Sequence, residues 1–79
     1  MATQDDPDAH LAEAIRELRR ERERTQEDVA HDAGLTLGSY GEIERGRANP
    51  AWTTVRRIAD ALEIDVSQLA ALVEAREGS

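Results

Sequence analysis

The chain has 79 residues, a formal net charge of −7 at pH 7 and no cysteine. A chain of this length has room for one small domain, and the lack of cysteine excludes a disulfide framework, a thiolate metal site and a cysteine nucleophile. No stretch reaches the roughly 18 apolar residues of a membrane helix, and the acidic start is unlike a signal peptide. We therefore expect a cytoplasmic protein with no membrane partner. The acidic charge argues only weakly against nucleic-acid binding, because the local field at a binding face matters more than the total.

The first segment with helical periodicity follows a polar start. Residues 1–7 are acidic and lack apolar periodicity, so we predict a disordered tail there. Asp8 is predicted to cap helix one, whose inward face has Leu11, Ile15 and Leu18 at helical spacing. The ordered domain is predicted to span residues 8–75, and residues 76–79 are predicted to form a frayed polar end.

Residues 26–45 contain two short helices that meet at a tight turn. Thr25, with Asp28 three residues later, forms a weakened capping box at the start of helix two. Gly34 is predicted to end that helix in the left-handed conformation, which glycine adopts without steric penalty. Thr36 is the predicted N-cap of helix three. The order helix, glycine turn, helix is the helix-turn-helix arrangement.

Helix three is predicted to run from about Leu37 to Arg45, and it contains Gly38 and Gly41. Each glycine costs on the order of 1 kcal/mol relative to alanine inside a helix. Either the backbone must come close to another group at these positions, or the helix is marginal and is held by its neighbours.

Two further helices follow a loop at residues 46–50. The inward-facing set of helix four is Trp52, Val55, Ile58, Ala59 and Leu62. Helix five begins after Asp65, and its apolar residues are Val66, Leu69, Leu72 and Val73. The sequence therefore predicts five helices, no strand and one all-α domain.

Beyond the two-helix pattern, the chain resembles the Cro and phage-repressor type of helix-turn-helix domain, often called the xenobiotic-response-element type. The matching residues are Ile15, Leu18, Arg19, Thr25, Gln26, Val29, Ala30, Ala33, Gly34, Leu35, Thr36, Ile43, Glu44, Arg45, Gly46, Asn49, Pro50, Ile58, Ala59, Ala61, Leu62 and the run from Val66 to Leu69. The resemblance covers about residues 9–73. It implies a compact five-helix, lambda-repressor-like domain, usually dimeric, with helix three in the major groove of double-stranded DNA.

The resemblance also implies which residues contact DNA. Phosphate contacts correspond to Thr25 and Gln26 at the start of helix two, and base-facing positions to Leu37, Gly38, Ser39 and Glu42, beside the N-cap Thr36. Flanking backbone contacts correspond to Arg45, Arg47 and Asn49. Leu37 suits a thymine methyl, whereas Glu42 either accepts from cytosine N4 or is repelled by phosphate. Direct readout is therefore expected to be sparse, with arginines and DNA shape supplying much of the recognition.

Arg19 and Glu44 occupy positions that hold an ion pair in similar domains, linking helix one to the end of helix three. Arginine suits this role because its planar fork binds a carboxylate through two hydrogen bonds. The alternative is an exposed pair that contributes little. Trp52 is expected to be core or partly buried, with a surface interface anchor as its alternative.

Helix five is expected to supply a dimer interface. A five-helix domain uses only part of the apolar stripe on that helix internally. We therefore expect Leu69, Leu72 and Val73 to contribute to contacts with a second subunit.

Nothing in the sequence indicates an enzyme or a cofactor. His10 and His31 lack partners at metal-ligand spacing, so no metal site is expected. The serines lack a recognisable base partner or nucleophile elbow, and no glycine-rich phosphate loop is present.

The favoured function is a sequence-specific DNA-binding transcription regulator, acting as a homodimer on a palindromic or pseudo-palindromic operator. The alternative is a protein-interaction module that keeps the fold but binds DNA weakly or not at all, while the antidote half of a toxin–antitoxin pair fits only the size. A positive stripe through Arg24, Arg45 and Arg47 would favour DNA, and an acidic helix-three face would favour a protein partner.

Overall fold

The computed structural model describes residues 8–78. Five helices follow one another along the chain: α1 (Ala9–Glu21), α2 (Gln26–Asp32), α3 (Leu37–Glu44), α4 (Trp52–Ala61) and α5 (Val66–Glu77). Within residues 8–78 there is no strand. The predicted all-α, five-helix class is therefore confirmed, whereas the predicted tail at residues 1–7 lies outside the described residues.

The first three helices begin at the capping side chains that the sequence indicates. Asp8 Oδ1 accepts a hydrogen bond from the Leu11 amide at 3.0 Å. Thr25 Oγ1 accepts from the Asp28 amide while the Asp28 carboxylate accepts from the Thr25 amide, both at 3.1 Å, which completes the capping box. Thr36 Oγ1 caps α3 at 3.1 Å from the Ser39 amide. These bonds satisfy amide groups that have no partner inside a helix.

Left-handed residues close the turns. Gly34 has φ of 72°, and the next amide, of Leu35, donates to the Ala30 carbonyl at 2.8 Å. Gly46 has φ of 71° after α3. Glu23 and Glu63 adopt the same region at φ of 53° and 60°, after α1 and α4. A side chain costs roughly 1–2 kcal/mol in that conformation, so the sequence alone did not indicate these two turns.

The core lies where the helices face one another. α1 packs against α3 and α5, α2 packs against α3 and α4, and α4 packs against α5. Apart from Ala12, the buried apolar residues of the described chain form one cluster: Ala14, Ile15, Leu18, Val29, Ala30, Ala33, Tyr40, Ile43, Val55, Ile58, Ala59, Ala61, Leu62 and Leu69. Because both helices of the helix-turn-helix contribute to this cluster, the fold fixes their relative orientation.

Three expectations are corrected by the structure. Trp52 is 60 % exposed rather than buried, because it is the first residue of α4 and lies on the rim of an open groove between α4 and α5. Leu69 is 1 % exposed, so its side chain belongs to the core of its own chain and not to a dimer surface. α5 continues to Glu77, past the expected boundary at residue 75, and Arg76 forms an ion pair with Glu17 of α1.

Candidate nucleic-acid interface

α3 presents two different faces, as its sequence spacing requires. Its inward face holds Tyr40, Gly41, Ile43 and Glu44, all buried. Gly38, Ser39 and Glu42 lie on the other side of the helix, where Gly38 and Ser39 are exposed and the Glu42 side chain is 45 % exposed. Leu37 is also exposed, but it lies about 140° around the helix from Glu42. The expected base-facing residues are thus all accessible, and three of them share one side of α3.

The inward face is joined to α1 through the predicted ion pair. Arg19 Nε donates to Glu44 Oε2 at 2.7 Å and a terminal nitrogen donates to Glu44 Oε1 at 3.0 Å. The Glu44 side chain is 1 % exposed and that of Arg19 is 14 % exposed, so this is a buried two-point pair and not a surface contact. The third nitrogen of Arg19 donates to the Arg24 carbonyl at 2.9 Å, which also fixes the turn after α1.

Two additional donors complete the site around Glu44. The Gln26 side-chain amide donates to Glu44 Oε1 at 3.1 Å, and Arg16 donates to the Glu44 backbone carbonyl at 2.6 Å. Sequence reasoning missed both contacts. Arg16 precedes Arg19 by one helical turn, so both lie on the same face of α1. That spacing could have indicated that Arg16 also reaches Glu44. The last turn of α1 and the start of α2 are therefore tied to one carboxylate at the end of α3, and Arg16 adds a bond from the middle of α1 to the backbone of the same residue.

The charges in this cluster are held ionised. Burial alone raises the pKa of Glu44, but hydrogen bonds to the carboxylate, above all from Arg19, outweigh burial and leave the pKa below its usual value. The hydrogen bond to Glu44 raises the pKa of Arg19. Tyr40 is buried beside this pair, and burial raises the pKa of its phenol. Among residues 8–78 the Tyr40 hydroxyl has no partner of good hydrogen-bond geometry.

The expected phosphate contacts at the start of α2 are only partly free. Thr25 is exposed, and its oxygen caps α2. Gln26 is half-buried and uses one N–H of its amide for Glu44. A primary amide has two N–H groups and a carbonyl oxygen, so Gln26 retains hydrogen-bonding capacity toward a ligand.

The end of α3 carries exposed positive charge. Arg47 and Asn49 are exposed in the loop that follows, and the Arg45 side chain is 55 % exposed. Arg45 lies back along the helix over Gly41: a Cβ at Gly41 would stand 3.2 Å from its Nη1, and that same nitrogen is 3.8 Å from Glu42 Oε1. A side chain at Gly41 would therefore displace only the tip of a flexible arginine. At Gly38 a Cβ would meet nothing within 4 Å.

The charge of Arg24, the third arginine of the stripe that would favour DNA, is paired with an acidic residue. Its side chain forms an ion pair with Asp32 and donates to the Ala61 carbonyl at 2.8 Å. Local charge nevertheless differs from the total, since the chain from residue 37 to residue 57 contains four arginines and two glutamates. One of those glutamates is the buried partner of Arg19.

Comparison with known proteins matches these features to a family. Residues 10–72 match the family described as "Helix-turn-helix domain". The chain belongs to this helix-turn-helix family. The resemblance to Cro and phage-repressor domains seen in the sequence is thereby confirmed. Among residues 8–78, no helix of this helix-turn-helix domain combines the length and apolarity needed to cross a membrane, and no group of three metal-binding side chains is present.

Similar proteins include an immunity repressor protein of Bacillus phage phi105, 37 % identical over 59 residues, which cover 75 % of this chain and 41 % of the phage protein. The HTH-type transcriptional regulator DdrOP3 of Deinococcus deserti is 38 % identical over 64 residues, 81 % of this chain and 50 % of that regulator. The helix-turn-helix chain thus spans about half the length of these relatives. Among solved structures, the restriction-modification controller protein C.AhdI from Aeromonas hydrophila is 31 % identical, with a TM-score of 0.75, and the match covers 77 % of this chain and 92 % of that one.

Proposed function

We propose that this chain is a sequence-specific DNA-binding transcription regulator. The observation that supports it best is the exposed outer face of α3, supported from beneath by the buried pair of Arg19 and Glu44 and followed by exposed Arg45 and Arg47. In a helix-turn-helix domain the second helix enters the major groove, and its N-terminal residues contact base edges. Relatives named as repressors and regulators agree with this function. A transcription regulator must reach the chromosome, so a cytoplasmic location belongs to the proposal. The proposed function is binding and includes no catalysis.

The proposed regulator acts as a homodimer through α5 and the start of α4. Leu72 is 41 % exposed and Val73 is half-buried, on a helix whose Leu69 is already covered. Exposed Trp52 lines a groove that also contains Val66 and Val73. A two-fold interface places the same patch of both copies together, and exposed aromatic and aliphatic side chains are typical anchors of such a patch. Two copies related in this way fit a palindromic or pseudo-palindromic operator.

One observation favours a second candidate, a protein-interaction module. Leu37 exposes 46 % of its surface and Glu42 45 % of its side chain, so the accessible residues of α3 include an apolar and an acidic one where base-contacting amides are common. Such a face is suited to another protein as well as to DNA. The two candidates differ in whether duplex DNA is bound tightly and sequence-selectively.

The decisive experiment is a fluorescence-anisotropy titration of the purified protein with duplex DNA from upstream of its own gene. Scrambled duplex of equal length and composition is the control, and both are measured from low to physiological salt. Selective binding that weakens steeply with salt is the expected result, because each neutralised phosphate contributes about −0.9 to the slope of log K against log salt. Equal, weak binding of both duplexes at low salt would instead favour the protein-interaction module.

A further inference from the structure

The turn at residues 45–49, which follows α3, is anchored at its start by a side chain from α1. An α-helix ends with four carbonyl groups that no later helical amide can satisfy. In α3, three of these carbonyls accept from the main-chain amides of residues 45–47, at 3.0 to 3.1 Å. The fourth, that of Glu44, accepts from the Arg16 guanidinium at 2.6 Å. Arg16 therefore completes the hydrogen bonding at the end of α3, and its positive charge suits the negative end of the helix dipole.

Within this turn, residues that face solvent alternate with residues that face the protein. The exposed side chains are those expected to contact phosphates: Arg45, Arg47 and Asn49. Gly46 lies against α1, since a Cβ at that position would stand 3.7 Å from the Ala12 Cβ. Ala48 is half-buried and packs against the core. The direction of the exposed side chains therefore depends on how the turn is seated on α1.

Arg16 and Arg19 hold different atoms of the same residue. Arg19 binds the Glu44 carboxylate through hydrogen bonds to both oxygens, whereas Arg16 binds the Glu44 carbonyl, where the turn begins. Loss of the Arg16 side chain leaves the buried pair between α1 and α3 in place. Its effect is therefore expected at the turn and not throughout the fold.

We propose that Arg16 is a positioning residue for DNA binding: it holds the Glu44 carbonyl and so keeps the turn at residues 45–49 in the conformation that contacts phosphates. This inference rests on the proposed DNA-binding function. A loop that already has its bound conformation gives tighter binding, because no further ordering of the loop opposes association. Arg16 acts through the turn, and the phosphates are contacted by the exposed side chains of the turn.

The first test follows the turn in the absence of DNA, by amide hydrogen exchange measured with NMR. Arg16→Met removes the donor and the charge but keeps an unbranched stem, and Arg20→Met makes the same change at an exposed position of α1. Relative to the amides of α5, the amides of Gly46 and Arg47 should exchange about ten-fold faster in Arg16→Met and at the wild-type rate in Arg20→Met. Arg16→Lys keeps a charged donor and should restore the wild-type rates. Unchanged exchange in Arg16→Met would overturn the proposal.

The second test measures affinity for the upstream duplex by fluorescence anisotropy, with circular dichroism to establish that each variant is folded. Arg16→Met should bind about ten-fold more weakly than the wild type, and Arg20→Met within about two-fold of it. In an Arg47→Ala background the effect of Arg16→Met should shrink to about three-fold or less, because the turn then presents one contact fewer.

Additive effects of Arg16→Met and Arg47→Ala would overturn the positioning role, since they are expected of a direct phosphate contact by Arg16 or of a general loss of stability. Failure of the wild type to bind the upstream duplex selectively would overturn the proposed function, and with it the role of Arg16 in binding. The exchange measurement separates the two failures, because it reports whether Arg16 orders the turn without any DNA present.

Discussion

Replacing Glu44 by alanine tests whether one buried carboxylate holds the helix-turn-helix against α1. Glu44→Ala removes both hydrogen bonds from Arg19, at 2.7 and 3.0 Å, and the bond from Gln26 at 3.1 Å. Breaking a buried pair by removing one partner typically costs 3–5 kcal/mol, because the other charge stays buried. Arg19 keeps 14 % of its side chain exposed and can gain some water, so we expect the lower end, about 3 kcal/mol.

The assay is urea unfolding followed by circular dichroism at 222 nm, with Glu42→Ala as the matched control on the same helix. The Glu42 side chain is 45 % exposed, and its carboxylate comes no closer than 3.8 Å to the Arg45 guanidinium. Loss of this exposed, long ion pair should change the free energy of unfolding by less than about 1 kcal/mol. A loss in Glu44→Ala as small as that of the control would refute the structural role of the pair.

The same pair predicts how stability depends on pH. The folded state lowers the pKa of Glu44 below its value in the unfolded chain. The stabilisation is therefore complete above the unfolded pKa of glutamate and is lost as the pH falls through the lowered, folded pKa. Glu44→Gln should flatten this acid-side loss of stability, measured as urea midpoints from neutral to acidic pH. An equally steep loss in Glu44→Gln would show that other carboxylates control acid unfolding.

Three further outcomes are expected. Tyr40→Phe should change the free energy of unfolding by less than about 1 kcal/mol, because the buried hydroxyl lacks a well-formed partner; a loss above 2 kcal/mol would reveal a strong hydrogen bond. Gly38→Ala should stabilise the protein by up to about 1 kcal/mol through helix propensity, and Gly41→Ala by less, since the Arg45 guanidinium must move; thermal unfolding that ranks them in reverse would refute this. Leu72→Asp should produce a monomer in analytical ultracentrifugation while a matched Ser67→Asp leaves the dimer intact, and identical sedimentation of both variants would exclude Leu72 from the interface.

Local signals in the sequence predicted the helices and their caps well. Capping by Asp8, Thr25 and Thr36 depends on a side chain and an amide three residues away, so short-range spacing is sufficient. Gly34 likewise marks its own turn. The left-handed Glu23 is different, because tertiary packing and not residue type selects that conformation.

Long-range contacts were predictable only where the family pattern supplied them. The pair of Arg19 and Glu44 is 25 residues apart, and the resemblance to repressor domains indicated it. The hydrogen bond from Gln26 to the same carboxylate was not predicted. The family pattern indicated Gln26 as a phosphate contact, and nothing in the sequence indicated a partner for it inside the protein. Helical periodicity placed Trp52 on the apolar stripe of α4 and Leu69 on that of α5, but periodicity does not say which part of a stripe other helices cover. Trp52 is left exposed at the start of α4, whereas Leu69 of α5 is buried by the other helices.

The central claim is that exposed arginines after α3 engage DNA phosphates, and matched charge removals test it most directly. Arg47→Ala removes an exposed charge beside α3, and Arg20→Ala removes an exposed charge from α1, in the groove between α1 and α5. The salt dependence of binding to the upstream duplex is measured for each variant. The account predicts a slope smaller by about 1 for Arg47→Ala and an unchanged slope for Arg20→Ala. Equal slopes for both variants and the wild type would contradict it.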